Sequence, residues 1–412
     1  MKRVWVFCIG LVLLFTSCTT QVPESVPTSS PTVAPTIVPT VAPTPEPTPE
    51  VTPEPTPEPE QIVTLNFAGD LLMHEKLLNI AKQKDGSYDF SSLYTDIGPM
   101  LSDADFTIAN LETTMAGKAA GYGGWPRFNT PEDFSHTMKN ILGIDMLMTA
   151  NNHCMDKGVD GLRHTLNVLD EAGFLHTGTY ATKEEADAPQ VIEVNGIRMA
   201  FLNYTYSLNQ HEPPAGQSYV ANRIDLEEIK RDAAAARAAG AEYIFCLPHW
   251  GVEHVLTESK TQNTQAEWIF KNTEVDMIVG GHPHVVQPAE YMTVTTPDGR
   301  KKTGFVLYSL GNFTSSHNPR REFADTGIVL HVALKKDRVT GVVTAKEVSY
   351  TSVVLDYTPG AANHNAVVEL LPAMYAYEAG VSTTITESEY ALFEKYRAHY
   401  AEIFAGVMEE RK

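Results

Sequence analysis

A proline-rich segment near the N-terminus sets the first limit on how this chain can fold. Thirteen of the 26 prolines lie between Pro23 and Pro59, a stretch without aromatic residues, lysine or arginine. Such a composition cannot bury enough apolar surface to fold, and it favours extended polyproline II structure. At about 3.1 Å per residue, the segment 19–60 would reach roughly 130 Å. We therefore predict a stalk, although a partner-binding segment is an alternative, and expect folding to begin after residue 60.

The residues before this segment combine a basic start, an apolar run and a cysteine. Lys2 and Arg3 precede an apolar run over residues 4–15, which is too short to span a bilayer and fits a secretion signal. Small residues directly before Cys18 are similar to the bacterial lipobox. This similarity implies that residues 1–17 are removed and that an acylated Cys18 anchors the protein outside the cytoplasm. An ordinary signal peptide and an uncleaved anchor are the alternatives.

The rest of the chain is acidic. The first 60 residues carry two basic and six acidic side chains, so −16 of the formal net charge of −20 belongs to the other 352 residues. Phosphate backbones are bound by basic faces. The charge therefore argues against nucleic acid as the main partner.

After residue 60, short β-branched runs alternate with amphipathic stretches, which predicts an α/β domain. The predicted strands are 62–68, 105–109, 144–149, 243–247 and 276–279, and the predicted helices are 131–142, 158–172 and 226–239. Turn sequences at 195–196 and 297–299 predict two hairpins, so the sheets should be mixed. We assign residues 61–355 to this domain and residues 356–412 to a helical extension that packs on it.

Side chains that can bind metals recur where these strands end, the edge at which open α/β sheets place their sites. Along the chain they are Asp70, Glu112, Asn151, Asn152, His153, Asp156, His249, Glu253, His282 and His284. Each alone could be a helix cap, a turn residue or a core histidine, but their recurrence favours one shared site. We expect 282–284 to be extended, so that both imidazoles point the same way. Oxygen and nitrogen ligands without thiolate suit two divalent ions, Mn, Fe or Zn rather than Ca.

The order of these motifs resembles the CapA-type proteins of poly-γ-glutamate capsule synthesis. The motifs are Gly69-Asp70, Asn110-Leu111-Glu112, Asn151-Asn152-His153, His249-Trp250-Gly251, Gly281-His282-Pro283-His284 and the segment 307–313. The resemblance covers residues 62–355. Because that family is similar in fold to the calcineurin-like metallophosphoesterases, it implies a four-layer sandwich of two mixed β-sheets flanked by helices.

The resemblance also implies roles for the motif residues. Asp70 and His284 would bind a first metal, Glu112 would bridge two metals, Asn152, His249 and His282 would bind the second, and His153 would be a general acid or transition-state donor. The pattern departs at Leu72, which stands where metallophosphoesterases have a histidine. For His74, two residues later, three roles stay open: a metal ligand, a substrate contact or an exposed helix residue. Occupancy by a single ion is therefore an alternative.

Other candidates concern the substrate and the surroundings of the ligands. Arg127 lies in a glycine-rich loop and could clamp a carboxylate or phosphate, or be an ordinary surface residue. Glu253 could orient His249 if the segment between them is helical. Asn312 follows a strand and could contact the site or make a turn. Asn151 and Asp156 could bind metal or substrate.

The function expected from these features is that of a lipid-anchored, extracytoplasmic metal-dependent hydrolase or transferase. Its substrate would be an anionic surface polymer or its precursor, and membrane-bound capsule synthase subunits are possible partners. The alternatives are a non-catalytic metal-binding component of such a complex and a secreted phosphoesterase.

Overall fold

The computed structural model describes residues 60–316, 321–356, 366–382 and 384–411. The predicted signal, Cys18 and nearly all of the stalk lie outside these residues. The described residues belong to one compact unit, Glu58–Lys412. Within them, no helix combines the length and apolar character needed to cross a membrane.

The strands of the described residues occur from the beginning of the unit to its end. They are β1 (Gln61–Leu71), β2 (Phe106–Leu111), β3 (Met146–Met148), β4 (Leu175–Thr177), β5 (Ile192–Val194), β6 (Ile197–Thr205), β7 (Tyr243–His249), β8 (Met277–Val279), β9 (Val286–Thr295), β10 (Lys301–Leu310), β11 (Asn312–Thr314), β12 (Thr326–Lys336), β13 (Val343–Asp356), β14 (Ala366–Glu369) and β15 (Glu409–Glu410).

The α-helices of the same residues lie mostly between the parallel strands. They are α1 (Glu75–Ala81), α2 (Gly98–Leu101), α3 (Phe134–Asn140), α4 (Gly158–Glu171), α5 (Lys183–Asp187), α6 (Leu226–Ala238), α7 (Lys260–Asn272), α8 (Leu370–Glu378) and α9 (Glu387–Ile403).

The strands form two sheets. Sheet one has the order β14-β13-β12-β1-β2-β3-β4, with β11 beside β1 and β15 beside β13. Sheet two has the order β5-β6-β7-β8-β10-β9. In sheet one, β1 to β4 are parallel and β12 to β14 antiparallel; in sheet two, the two end strands are antiparallel to their neighbours. Both sheets are therefore mixed, as predicted.

The two sheets pack face to face through an aromatic core. Phe67 of β1 lies with its ring centroid 5.1 Å from that of Phe245 of β7, and Phe201 of β6 stacks on Phe245 at the same distance. On the outer face of sheet one, apolar side chains of α1 to α4 form a second core. On the outer face of sheet two, α6 and α7 form a third. The four-layer arrangement expected from the resemblance is confirmed.

The structure contains the strands and helices predicted from the sequence, and several others that were not predicted. Each predicted strand and helix is present with ends shifted by a few residues, and both predicted hairpins form. Helix α7 was not predicted, although its capping box between Ser259 and Gln262 is a recognisable start signal. Strands β4 and β11, of three residues each, were not predicted.

The C-terminal extension contains strands as well as the predicted helices. Strand β14 pairs with β13 and extends sheet one, and β15 adds two residues beside the same strand. Helices α8 and α9 are present, and Tyr396, Tyr400 and Phe404 join the core between the sheets. The segment contributes apolar surface and backbone pairing to the domain, which its charged ends did not reveal.

Candidate metal centre

The parallel strands of the two sheets end at one edge of the sandwich, where the predicted site residues meet. Asp70 lies near the end of β1, Glu112 directly follows β2 and His249 is the last residue of β7. Gly69 makes this convergence possible, because a Cβ atom there would lie 2.0 Å from the carbonyl oxygen of Gly311. Only glycine lets the two backbones approach so closely.

Glu112 is the central residue of the site. It is fully buried, and neither of its carboxylate oxygens accepts a hydrogen bond from any described residue. Its Oε1 lies 3.5 Å from Nε2 of His249 and 3.7 Å from Nε2 of His284. A buried carboxylate without hydrogen bonds is costly, so this position calls for a compensating cation.

On one side of Glu112, His249 and Asn152 converge on the same space. Nε2 of His249 lies 2.8 Å from Oδ1 of Asn152 and 3.5 Å from the Glu112 carboxylate. Ligand atoms bound to one metal at about 2.1 Å stand roughly 3.0–3.4 Å apart. The two distances from Nε2 of His249, 2.8 and 3.5 Å, lie near this range, so Asn152 and Glu112 are each close enough to share an ion with His249.

On the other side, His284 is held by Asp70 and Asn312. Nδ1 of His284 lies 3.1 Å from both Oδ2 of Asp70 and Oδ1 of Asn312, and its Nε2 faces Glu112. Burial disfavours the charged imidazole, but the carboxylates of Glu112 and Asp70 outweigh burial and raise the pKa of His284 to about 10. For Asp70, burial is likewise outweighed, chiefly by His284, and its pKa is lowered. In the protein without metal, one proton on His284 thus balances part of the acidic charge.

His282 completes the cluster, but not in the predicted conformation. The segment 282–284 is not extended: φ is +97° at His282 and +58° at His284, values that L-residues rarely adopt and that occur often at functional sites. The two imidazole centroids are nevertheless 5.8 Å apart, and Nδ1 of His282 has no hydrogen-bond partner among the described residues. The direction of the rings is therefore set by two residues with left-handed backbone conformation. The sequence pattern predicted that it would be set by the side-chain alternation of an extended strand.

His153 occupies the wall of the site beside these side chains. Its Nδ1 lies 2.8 Å from Oδ2 of Asp156, and its ring contacts the Phe128 ring edge-on at 4.8 Å. Oδ2 of Asp156 also accepts a hydrogen bond of 2.7 Å from the backbone of Phe128. Asp156 therefore fixes the orientation of His153, and its other oxygen, which is buried, has no partner among the described residues.

A cleft of about 410 Å³ opens beside the cluster. The described residues that line it are Leu72, His74, Trp125, Phe128, His153, Glu253, His254, His284, Asn312, Ser315, Ser316, Arg321 and Ala324. His74, directly before α1, packs its ring against Phe128 with centroids 5.3 Å apart. Burial lowers the pKa of His74 to about 4. Of its three open roles, this position favours a substrate contact.

Three other candidates make contacts different from those considered for them. Asn151 donates to the carbonyl of Leu111 at 2.8 Å and to Oδ1 of Asn110 at 3.3 Å, and its Oδ1 accepts from the backbone N–H of His153 at 3.1 Å, so it supports the backbone beside the cluster. Arg127 is exposed, and its Nε donates to the carbonyl of Asp156 at 2.9 Å, so it supports the loop and does not line the cleft. The helix assumed for Glu253 is absent: the segment is a turn, and the carboxylate lies 3.7 Å from His254 rather than beside His249.

Sequence reasoning missed several residues of the site. Asn110 donates to Oδ1 of Asp70 at 2.7 Å and lies 3.4 Å from Nδ1 of His249, linking the two sheets. Its position two residues before Glu112, on the same strand face, was a usable signal. Tyr206 covers His282 with ring centroids 4.4 Å apart. No sequence pattern indicated that His254 and Arg321 would line the cleft.

The donor set fits divalent metal ions. Two groups of buried side chains each offer ligand atoms within 4.8 Å of one another, Asp70 with Glu112 and His249, and Glu112 with His282 and His284. Glu112 belongs to both groups, and its two oxygens lack hydrogen bonds. Carboxylate and imidazole ligands around a shared carboxylate suggest divalent metals.

The fold and this cluster define a four-layer α/β protein with a candidate metal centre between its sheets. Residues 64–317 match the family model described as bacterial capsule synthesis protein PGA_cap. The chain therefore belongs to this family of CapA-like capsule biosynthesis proteins.

Its relatives include two Bacillus proteins. The chain is 26% identical over 261 residues to the capsule biosynthesis protein CapA of Bacillus anthracis, covering 61% of this chain and 59% of that protein. It is 23% identical over 264 residues to the PGA biosynthesis protein CapA of Bacillus subtilis, covering 62% and 63%. The matches thus span less than two thirds of either relative.

Solved structures similar to this one include a phosphoesterase and a nucleotidase. The calcineurin-like phosphoesterase YfkN of Bacillus subtilis matches with a TM-score of 0.46 and 14% identity, over 82% of this chain and 100% of that one. The NAD nucleotidase NadN of Haemophilus influenzae matches with a TM-score of 0.45 and 14% identity, over 84% and 68%.

Proposed function

We propose that this protein is a lipid-anchored, extracytoplasmic hydrolase or transferase of poly-γ-glutamate metabolism that depends on two divalent metal ions, Mn, Fe or Zn. The observation that carries the proposal is Glu112, which follows a strand of sheet one and is buried without hydrogen bonds beside two imidazoles from sheet two and close to an open cleft. Membership of the capsule synthesis family supports the choice of polymer.

The side chains within reach of one another form two groups that share Glu112: Asp70 with His249, and His282 with His284. The resemblance instead assigns Asp70 and His284 to one ion and Asn152, His249 and His282 to the other. In either assignment Glu112 would contact both ions. Bound divalent ions supply Lewis acidity, which polarises a carbonyl or phosphoryl group and lowers the pKa of water.

The contribution of His153 is proton transfer. With Nδ1 directed at Asp156, the neutral imidazole keeps its proton on Nδ1 and leaves Nε2 as an acceptor. After Nε2 has taken a proton, Asp156 stabilises the imidazolium, which can then protonate a leaving group. Phe128 packs against the ring and limits its rotation.

A metal assay and a turnover assay test this proposal on the purified protein. We expect bound divalent metal in wild type, its loss in His249→Ala, and turnover of a γ-glutamyl oligomer that His153→Ala abolishes without loss of metal. His136→Ala, a change at an exposed histidine, is the matched control. Metal-loaded wild type that cleaves or transfers neither a γ-glutamyl oligomer nor a phosphodiester contradicts catalysis. Turnover of the phosphodiester alone indicates a secreted phosphoesterase.

Leu72 favours a second candidate function, that of a non-catalytic metal-binding component of a membrane polymer synthase. This apolar side chain lines the cleft where metallophosphoesterases have a histidine, so the set around Asp70 has one imidazole fewer. This function predicts metal retention without turnover, and capsule complementation that His153→Ala leaves intact.

Anchoring and partners are separate parts of the proposal. The lipobox-like sequence at Cys18 supports acylation, and the following stalk would hold the domain away from the membrane. Incorporation of labelled palmitate by cells, absent in Cys18→Ser, tests the anchor. Crosslinking in intact cells, with capsule synthase subunits as the expected products, tests the partners.

A further inference from the structure

The cleft beside the metal centre has a wall that the proposed mechanism does not use. Arg321, Glu253 and His254 form this wall, and His153 and His284 line the same cleft. Among the described lining residues, Arg321 is the only one with a permanent positive charge. Its position therefore bears on which substrates the cleft accepts.

The guanidinium of Arg321 is held in place but stays accessible. Its Nη1 contacts Nε2 of His254, and it lies 4.0 Å from Oε2 of Glu253, beyond hydrogen-bond distance. The Arg321 side chain is 49% exposed. An exposed ion pair of this length contributes little, so Glu253 neutralises the guanidinium only weakly and leaves its N–H groups able to bind an anion.

The charge of the remaining protein does not attract an anionic substrate, so attraction must come from cations at the cleft. The part of the chain after residue 60 carries a formal charge of −16, which gives a polyanion no general attraction. A guanidinium at the cleft wall can instead bind one carboxylate through two parallel N–H donors. Ser315 and Ser316, which line the same cleft, add hydroxyl groups.

We propose that Arg321 is a specificity-determining residue that binds an anionic group of the substrate next to the reacting bond. In a γ-glutamyl polymer, this group is the pendant carboxylate. The inference rests on the proposed function for the identity of the polymer, whereas binding of an anion by Arg321 can be measured without turnover.

The test compares binding of two ligands to the metal-loaded full chain by calorimetry. One is a short γ-glutamyl oligomer, and the other is the same oligomer with its pendant carboxylates converted to neutral amides. We expect wild type to prefer the carboxylate form, and Arg321→Gln to lose about tenfold in affinity for that form only. Arg321→Lys should recover part of this loss, because lysine restores the charge but not the paired donors.

Controls separate this role from a structural one. Arg300→Gln, a change of an exposed arginine in the β9–β10 hairpin, should bind both oligomers as wild type does, and metal content should be equal in all variants. A phosphodiester is measured as a third ligand. The inference is overturned if Arg321→Gln binds both the carboxylate oligomer and the phosphodiester as tightly as wild type does. If a phosphodiester is the anion whose binding depends on Arg321, the inference stands and the polymer assigned under the proposed function is wrong.

Discussion

Replacing Glu112 by glutamine separates the cost of a buried carboxylate from the benefit of a bound cation. Without metal, the carboxylate of Glu112 faces the imidazoles of His249 and His284, at 3.5 and 3.7 Å, and accepts no hydrogen bond from a described residue. Replacing a whole buried ion pair by neutral groups is often neutral or stabilising by about 1–4 kcal/mol, whereas removing one partner costs about 3–5 kcal/mol when the other charge is left alone. In Glu112→Gln, His284 is not left alone, because its Nδ1 still lies 3.1 Å from the carboxylate of Asp70. We expect metal-free Glu112→Gln to be as stable as wild type, or up to about 2 kcal/mol more stable.

With metal bound, wild type should be more stable than Glu112→Gln. A cation present at about 100 times its Kd stabilises a folded protein by about 2.7 kcal/mol. Glu112 belongs to both ligand groups, so the variant loses a ligand from each. We expect the same metal concentration to stabilise Glu112→Gln by less than about 1 kcal/mol.

Urea unfolding followed by tryptophan fluorescence, with Mn²⁺ or with a chelator, measures both effects. Glu267→Gln, a change at an exposed position of α7, is the matched control and should behave as wild type under both conditions. The reasoning is refuted if Mn²⁺ stabilises Glu112→Gln as much as wild type, or if the metal-free variant is less stable by about 3 kcal/mol or more, the cost of breaking a favourable buried pair.

Three further predictions concern the core, the pH dependence and the proton donor. Phe245→Ala should lower the free energy of unfolding by about 3–5 kcal/mol in urea titrations, because the ring is fully buried between the sheets, whereas Val339→Ala at an exposed turn should change it by less than about 0.5 kcal/mol. Burial lowers the folded-state pKa of His331 to about 3, so its contribution to stability is complete above pH 6.5 and declines between pH 6.5 and 3; His331→Gln should flatten this part of the stability profile, and His136→Gln should not. Asp156→Asn should retain bound metal but reduce turnover about 100-fold or more, because the imidazole that Asp156 orients loses its partner, and unchanged turnover would contradict that role.

The positions of most strands and of the ligand residues could be predicted because both depend on local chemistry. Buried strands are short apolar runs, and the turn at Asn195-Gly196 specifies a hairpin wherever it occurs. Ligand types at successive strand ends indicate one site, since parallel strands present their ends at one edge of a sheet. Asp70, Glu112 and His249 were found in this way.

The environment of these residues depends on contacts between distant parts of the chain. Glu112 and His284 are 172 positions apart and on different sheets, so only packing of the two sheets buries the carboxylate without hydrogen bonds. Packing also turns Glu253 toward His254 and places Arg321 on the cleft wall.

The amino-acid sequence by itself determined which segments form strands and which residue types stand at their ends, because a strand and a turn depend on neighbours a few residues away. The tertiary structure determines which of those side chains share a buried space. It also sets the direction of His282 and His284 through their positive-φ backbone, and it places Arg321 at the cleft. These properties arise from burial and charge across the two sheets, which no local pattern encodes.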